Sequence, residues 1–226
     1  MRRSLFLIVI GAGGAAILLW LGLWQMQRLE WKLGVIDDIN SRIEAQAIPL
    51  PDFLDRENDA YLPVEIRGVI APDYLRVLVS QKEIGAGYRI ISAIEMSGRR
   101  VLLDRGFAPV AESDVPTHDG SVTVQGNLQW PQETDGFTPE PDLDNNIWFA
   151  RDVDAMAAAL NTEPTLVVAK TTSFNDAPIS PLPVDTGAIP NDHLQYAITW
   201  FSLAAIWLLM SLAFILRARR APQRLS

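Results

Sequence analysis

Residues 190–201 have the sequence PNDHLQYAITWF, and they join a polar, proline-rich segment to an apolar one. His193, one of only two histidines in the chain, stands where the apolar segment begins. At 100° per residue of α-helix, Tyr196, Trp200 and Trp207 lie at about 300°, 340° and 320° from His193. The sequence therefore predicts one helix face that carries an imidazole followed by three aromatic rings.

Two long apolar segments, residues 5–24 and 194–216, contain no charged residue. Each is long enough as an α-helix to cross the ~30 Å hydrocarbon core of a bilayer. A cleaved signal peptide is the alternative for the first segment, but its apolar run would be shorter and would end in small residues. We predict two transmembrane helices, with Gly11, Gly14 and Ala15 allowing a neighbouring helix to approach closely.

The end of the first segment carries a second aromatic face. Trp20, Trp24, Gln27 and Trp31 fall within about 60° of one another on a helix. Such rings often form an interfacial belt at the depth of the lipid headgroups, and this is one interpretation. The alternative is that this face and the face of His193 oppose each other and form the walls of a site for a flat apolar ligand.

Between the apolar segments the pattern changes from helical to extended. A helix is predicted to continue from residue 28 to about 47, with a break near Gly34, and prolines follow. Alternating β-branched and aromatic residues then predict strands, and a short helix precedes a last strand. The predicted strands are residues 61–69, 74–81, 88–96, 100–107, 122–127 and 165–170, and the helix is 152–160.

These elements predict a membrane-anchored α+β protein. Two transmembrane helices flank a β-rich extramembrane domain, which is an antiparallel sheet or a partly closed barrel with one or two short helices. We place the first helix with its tail in residues 1–27, the domain in 28–190, and the second helix with a basic tail in 191–226.

The charges are distributed unevenly along the 226 residues. The two tails carry six of the 19 Lys and Arg, whereas residues 28–190 hold 13 Lys and Arg against 26 Asp and Glu, a net charge of −13. By the positive-inside rule, both tails are expected in the cytoplasm and the domain on the other side of the membrane. An acidic domain is unsuited to nucleic acid, because phosphate backbones attract basic surfaces. The absence of cysteine excludes disulfides and thiolate chemistry.

Few residues outside the apolar segments suggest chemistry. His118 stands among turn-forming residues, and we interpret it as part of a solvent-exposed loop. Asp104 and Arg105 point to opposite faces of a strand, and a structural ion pair at a strand end is the simplest interpretation. No nucleophile, phosphate-loop or paired-histidine motif is present, so an enzyme is not expected. His193 either caps its helix or ligates a haem iron, for which imidazole is a common axial ligand.

Five separated motifs carry a family resemblance over nearly the whole chain. They are LGLWQMQRLEWK at 21–32, GYRI at 87–90, VLLDRGFAP at 101–109, NIWFARDVDAM at 146–156 and IPNDHLQYAITWF at 189–201. Together they resemble the Surfeit locus protein 1 family, the assembly factors of haem-copper cytochrome c oxidase. The family usually has VNRGW where this chain has LDRGF at 103–107, and NNH where it has NDH at 191–193.

The resemblance implies that the protein transiently binds haem a and assists its insertion into subunit I of aa3-type cytochrome c oxidase. His193 matches the histidine proposed to ligate the haem iron. With it we expect Trp24, Tyr196 and Trp200 to contact the ring and Arg28 to pair with a propionate. The alternative is a scaffold that stabilises a subunit I assembly intermediate without binding haem.

The implied partners are subunit I, haem a synthase and membrane lipid. Bacterial members of the family work in the cell inner membrane with the large domain in the periplasm, which agrees with the charge distribution. Because no transit segment precedes the first apolar segment, a bacterial source is expected.

Overall fold

The computed structural model describes residues 2–81, 85–111, 115–187 and 189–220. The helices in this part of the chain are α1 (Arg2–Ile43), α2 (Val153–Leu160) and α3 (His193–Arg220). The strands are β1 (Ile48–Pro49), β2 (Pro63–Gln81), β3 (Gly85–Met96), β4 (Arg99–Pro109), β5 (Val122–Gln129), β6 (Ile147–Trp148) and β7 (Glu163–Thr172). The predicted class is confirmed, since two apolar helices flank a sheet domain that contains a short helix.

The chain divides into two compact units. One contains the residues up to Asp38 and those from Gly187 onward, and therefore most of α1 and all of α3. The other is Ile39–Thr186, which contains the sheet. The sheet unit begins at Ile39 and so includes the last residues of α1.

Helices α1 and α3 are each long and apolar enough to cross a membrane. Their large apolar side chains are mostly exposed, which is unfavourable in water and expected in lipid. Helix α1 passes Gly34 without the predicted break, because one glycine costs a helix only about 1 kcal/mol. It ends at Ile43, a few residues before the prolines.

The longer strands follow the prediction except in β2, whereas the two-residue strands β1 and β6 were not predicted. Residues 61–69 and 74–81 were predicted as two strands, but they form one continuous strand with a register shift between Ile70 and Tyr74. The shift accommodates Pro72, which has no backbone N–H to donate to a neighbouring strand. Strand β7 and helix α2 are found where the sequence predicts them, with bounds that differ by one or two residues.

The pairings form a closed circuit, in which β2 pairs with β3, β3 with β4, β4 with β7, β7 with β5, and β5 with β2. The sheet is mixed rather than purely antiparallel, because β4 and β7 run parallel. This parallel pair arises because helix α2 precedes β7 and returns the chain in the direction of β4.

The apolar core of this unit contains two large clusters. One cluster joins the end of α1 and helix α2 to the sheet, through residues such as Ile43, Met156 and Leu102. Helix α2 begins at the side chain of Asp152, which accepts a hydrogen bond from the Ala155 amide. Asn127 is buried, and its amide donates to the Ile43 and Tyr61 carbonyls. The end of α1 is thereby part of the sheet unit.

Candidate functional site

The two apolar helices contact each other along a seam of small residues. Built Cβ atoms at Gly14 and Gly22 would lie 2.5 Å from the Trp207 ring and 2.6 Å from the Phe201 ring. The Trp207 indole N–H also donates to the Gly11 carbonyl, at 3.0 Å. The predicted close approach at Gly11 and Gly14 is confirmed, and buried Ala15 lies on the same face.

His193 lies at one end of this seam, on the first residue of α3, and is partly buried. Its Nδ1 is 2.8 Å from Oε1 of Gln25, a buried residue of α1. Because a carboxamide oxygen only accepts, Nδ1 carries the hydrogen and Nε2 keeps its lone pair. Within the described residues, Nε2 has no hydrogen-bond partner, and the imidazole can therefore bind a metal ion there.

Gln25 was missed by the sequence analysis, which followed the aromatic face of this segment. A signal was available, because Gln25 follows Gly22 by three residues and so belongs to the small-residue face. A polar side chain on a face that must meet another apolar helix needs a partner. His193 is that partner in the structure.

The aromatic residues of α3 lie on one flank of the helix pair. Ala197 is buried in the seam and serves as the reference. Around the helix axis, His193, Trp200 and Tyr196 are rotated from it by about 40°, 60° and 100°, all in the same sense. On α1, Gln25 is rotated about 60° from Gly22 in that sense. Because α1 and α3 run antiparallel, residues that are rotated from the seam in the same sense lie on the same side of the helix pair.

Arg28 and Trp24 are placed differently from the predicted arrangement. Arg28 is rotated about 120° from Gly22 towards the flank of His193, and its guanidinium lies 4.6 Å from the centre of the Trp31 ring. Trp24 is rotated about 160°, nearly opposite the seam, and is exposed. The two aromatic faces do not oppose each other, because glycine–ring contacts close the seam between the helices.

Asn191 adds an unusual polar group just before α3. Its Oδ1 is buried and has no hydrogen-bond partner within the described residues. A buried carbonyl oxygen without a donor is costly, commonly about 1–3 kcal/mol. The segment that leads into His193 therefore retains an unused acceptor.

The other histidine belongs to the sheet unit and lies on a loop, as predicted, but its side chain is only 14% exposed and does not face solvent freely. His118 Nε2 lies 2.8 Å from Asp176, and its ring is 4.2 Å from the Phe174 ring. Asp176 also accepts hydrogen bonds from the buried guanidinium of Arg105. A carboxylate 58 residues away in sequence holds His118, and no local pattern announces such a partner.

Asp104 and Arg105 point to opposite faces of β4, as predicted, and they have separate partners. Asp104 is fully buried, and it pairs with Arg89 and lies 3.6 Å from Arg151. The pairs are in the middle of β4 rather than at its end. They join β3, β4 and the segment before α2, and we assign them a structural role.

Arg151 makes its strongest contact with Glu133. Burial raises the pKa of Glu133, but the hydrogen bonds and charge of Arg151 lower it more, so this pKa lies below its ordinary value. The pair stabilises the fold above the pKa of the unfolded glutamate, and its contribution is lost as the pH falls through the lower folded-state pKa.

No group of three or more His, Cys, Asp or Glu that could hold a metal ion occurs in the residues that the structure describes. The lone imidazole of His193 can supply a single protein ligand. Of the predicted site residues, the structure brings His193, Trp200 and Tyr196 to one flank with Gln25, while Trp24 lies on the outer face of α1.

Comparison with known proteins extends over both units. The SURF1 family model matches residues 12–205. Surfeit locus protein 1 of Rattus norvegicus is 30% identical over 210 residues, which cover 82% of this chain and 68% of the rat protein. The Homo sapiens protein of the same name is 31% identical over 210 residues, with 82% and 69% covered. The SURF1-like protein of Drosophila melanogaster is 30% identical over 217 residues, with 82% and 69% covered.

The family model matches α1 from residue 12, the whole sheet unit and α3 up to residue 205, and the chain belongs to the SURF1 family.

Proposed function

We propose that this protein binds haem a through His193 and assists its insertion into subunit I of cytochrome c oxidase. The observation that carries the proposal is the contact between His193 Nδ1 and Gln25 Oε1. Histidines that ligate metals commonly donate their other ring N–H to an oxygen, which fixes the tautomer and the ring orientation. The contact with Gln25 thus orients the imidazole at the start of an apolar helix.

The residues around His193 fit a haem. One imidazole supplies one axial bond, while Trp200 and Tyr196 offer aromatic surface for a porphyrin on the same flank. Arg28 lies three residues, less than one helical turn, beyond Gln25 on α1 and suits a propionate. Bound haem would supply no chemistry of its own in this role, because the protein only holds and releases it.

This geometry favours a site on the open flank of the helix pair over one between the helices. A porphyrin between α1 and α3 would have to displace the contacts of Gly22 with Phe201 and of Gly14 with Trp207. On the flank it needs no separation of the helices. The bound haem would also remain accessible from the bilayer. This accessibility suits receipt of the haem from haem a synthase and its transfer to a membrane-embedded partner such as subunit I.

The remaining parts of the proposal concern location and chemistry. Both basic tails lie in the cytoplasm of a bacterial cell and the acidic domain lies in the periplasm, where it contacts the oxidase subunit. No bond is made or broken by the protein, so it acts as a chaperone rather than an enzyme.

The test is the visible spectrum of the full chain, purified in detergent from cells that make haem a. We expect bound haem a in the wild type and at least a tenfold loss in His193→Ala. The matched control is His118→Ala, which removes the chain's other imidazole and should leave the spectrum unchanged. A wild-type protein without haem, or equal spectra for wild type and His193→Ala, would refute the proposal.

A scaffold function is the second candidate, and exposed apolar residues of the sheet unit favour it. Phe137 and Leu143, in the loop between β5 and β6, are 95% and 73% exposed. Side chains of this kind often mark protein contact sites. If the scaffold alone operates, Phe137→Ser with Leu143→Ser will lower the haem content of the oxidase, while His193→Ala will leave it unchanged.

A further inference from the structure

A small apolar cleft opens on the helix pair at a distance from His193. Its volume is about 130 Å³, and it is lined by Leu7, Ile10, Gly11, Trp207, Met210, Ser211 and Phe214. The Trp207 indole N–H is already satisfied by the Gly11 carbonyl, so the lining offers almost no free polar group. The cleft therefore suits a hydrocarbon chain.

The cleft lies on the same flank as His193. On α3, Trp207, Met210 and Phe214 are rotated about 80°, 140° and 100° from Ala197, in the same sense as His193. On α1, Leu7 and Ile10 are rotated about 60° and 120° from Gly22, in the same sense as Gln25. The same side of the helix pair thus carries the His193 imidazole near one end and the apolar cleft farther along the helices.

The spacing between these two features is set by the helix rise. Fourteen residues separate His193 from Trp207 at the near edge of the cleft, which is ~21 Å along the axis. The exposed ring of Tyr196 and the partly buried ring of Trp200 lie between them. A ligand that occupied the whole flank would need a metal that an imidazole can bind, a flat ring system and a long apolar chain on one edge.

We infer that the cleft is a subsite for the isoprenoid tail of haem a, and that it distinguishes haem a from haems without a tail. This inference rests on the proposed function of His193. The volume suits the terminal part of an isoprenoid chain, while the rest of the chain lies along Trp200 and Trp207. Selectivity comes from packing and a fixed direction, because lipid is as apolar as the cleft.

A lipid acyl chain is the competing occupant. It would fill an apolar cleft without any relation to the ligand at His193. The tail differs because it is covalently attached to a head group that His193 positions, so its local concentration at the cleft is high. Filling the cleft must therefore weaken binding of a tailed haem and leave binding of an untailed haem unaffected.

The experiment compares the affinity of the detergent-solubilised full chain for two probes, haem a and haem b, which lacks the tail. We expect the wild type to bind haem a about tenfold more tightly, a difference typical of one or two well-packed membrane contacts. Met210→Trp and Ile10→Trp fill the cleft from the two helices, and each should reduce the affinity for haem a to that for haem b.

Two neighbouring substitutions are the controls. Leu209→Trp and Val9→Trp add the same ring at exposed positions that do not line the cleft. Both should keep the tenfold preference. Helix pairing in every variant is monitored by the circular dichroism and the thermal stability of the apoprotein.

The outcomes separate this inference from the proposed function. Equal wild-type affinities for haem a and haem b, or a preference that survives both cleft-filling variants, would overturn the tail subsite and leave His193 ligation standing. Loss of affinity for both haems in the filling variants, with helix pairing intact, would also overturn it. A wild type that binds neither haem would refute the proposed function itself.

Discussion

At the scale of single residues, the hydrogen bond between His193 and Gln25 sets the chemistry of the helix pair. Gln25 lies on the small-residue face of α1, and its oxygen determines which nitrogen of His193 carries the hydrogen. The pair is separated by 168 positions in sequence, so its formation depends on the assembly of the two helices.

Gln25→Leu removes the acceptor and keeps an apolar side chain of similar size. We expect the affinity for haem a to fall about tenfold, because partners of ligating histidines commonly contribute 10–100-fold. Gln25→Glu retains an acceptor and adds charge, so it should keep binding but lower the reduction potential of the bound haem.

The reduction potential and the spectrum of the bound haem distinguish a positioning role from loss of folding. Gln27→Leu, an exposed position two residues away, is the control and should match the wild type. An unchanged affinity and potential in both Gln25 variants would show that the histidine is oriented by something else.

Two ion pairs of the sheet unit differ strongly in burial. Arg105 and Asp176 are 2% and 4% exposed, whereas Arg56 and Asp154 are 49% and 65% exposed. Asp176→Asn leaves a buried guanidinium without its carboxylate, and we expect it to lower the free energy of unfolding by about 3–5 kcal/mol. Asp154→Asn should cost less than about 1 kcal/mol.

Thermal or urea unfolding of the full chain measures both changes. The same experiment tests the position of His118, which shares Asp176 with Arg105. Equal destabilisation by the two substitutions would contradict the burial of Arg105.

At the scale of elements, glycines determine how closely α1 and α3 pair. A side chain at Gly22 would meet the Phe201 ring, whereas one at Gly13 would meet nothing within 4 Å. We expect Gly22→Leu to separate the helices and Gly13→Leu to leave them paired, because only the first adds volume in the seam.

Disulfide formation can report this pairing, since the natural chain contains no cysteine. A built Cβ at Gly11 lies 3.0 Å from Cβ of Ser211, so Gly11→Cys with Ser211→Cys can be linked after a small shift. The linked fraction should fall severalfold when Gly22→Leu is added and should stay high with Gly13→Leu. Equal yields would mean that the seam tolerates the larger residue.

The elements also show what a sequence can and cannot predict here. Charge-free segments and two-residue alternation predict α1, α3 and most strands, because these patterns reflect burial of one face or of a whole surface. Residues 61–69 and 74–81 were predicted as separate strands, yet pairing with β3 carries β2 through the residues between them. The parallel alignment of β7 with β4 depends on contacts distant in sequence, which no local pattern contains.

The same limit applies to the candidate site. His193 is recognisable because an imidazole at the start of an apolar segment is unusual. The sequence does not predict the orientation of the neighbouring residues, because aromatic residues spaced by three and four can face either a partner helix or lipid. Trp24 shows the difference, because the helix rotation that places Gln25 in the seam turns Trp24 away from it.

At the scale of the whole molecule, the distribution of charge predicts the orientation in the membrane. The basic tails and the acidic middle segment favour a translocated domain. We expect Ser97→Cys, on an exposed turn of the sheet unit, to react with a membrane-impermeant thiol reagent in intact spheroplasts. Ser226→Cys should react only after lysis.

The absence of natural cysteines again makes each signal specific to one position. The control is the unsubstituted chain, which should take up no label. Labelling of Ser226→Cys in intact spheroplasts, with protection of Ser97→Cys, would reverse the orientation.

The strand circuit also sets the timing of biosynthesis. Strand β7 inserts between β4 and β5, so both strands keep an unpaired edge until Glu163–Thr172 has emerged. Only 20 residues separate the end of β7 from the start of α3. During synthesis, the sheet can therefore close only shortly before the second helix reaches the membrane, and exposed edges are most open to aggregation or chaperone binding in that interval.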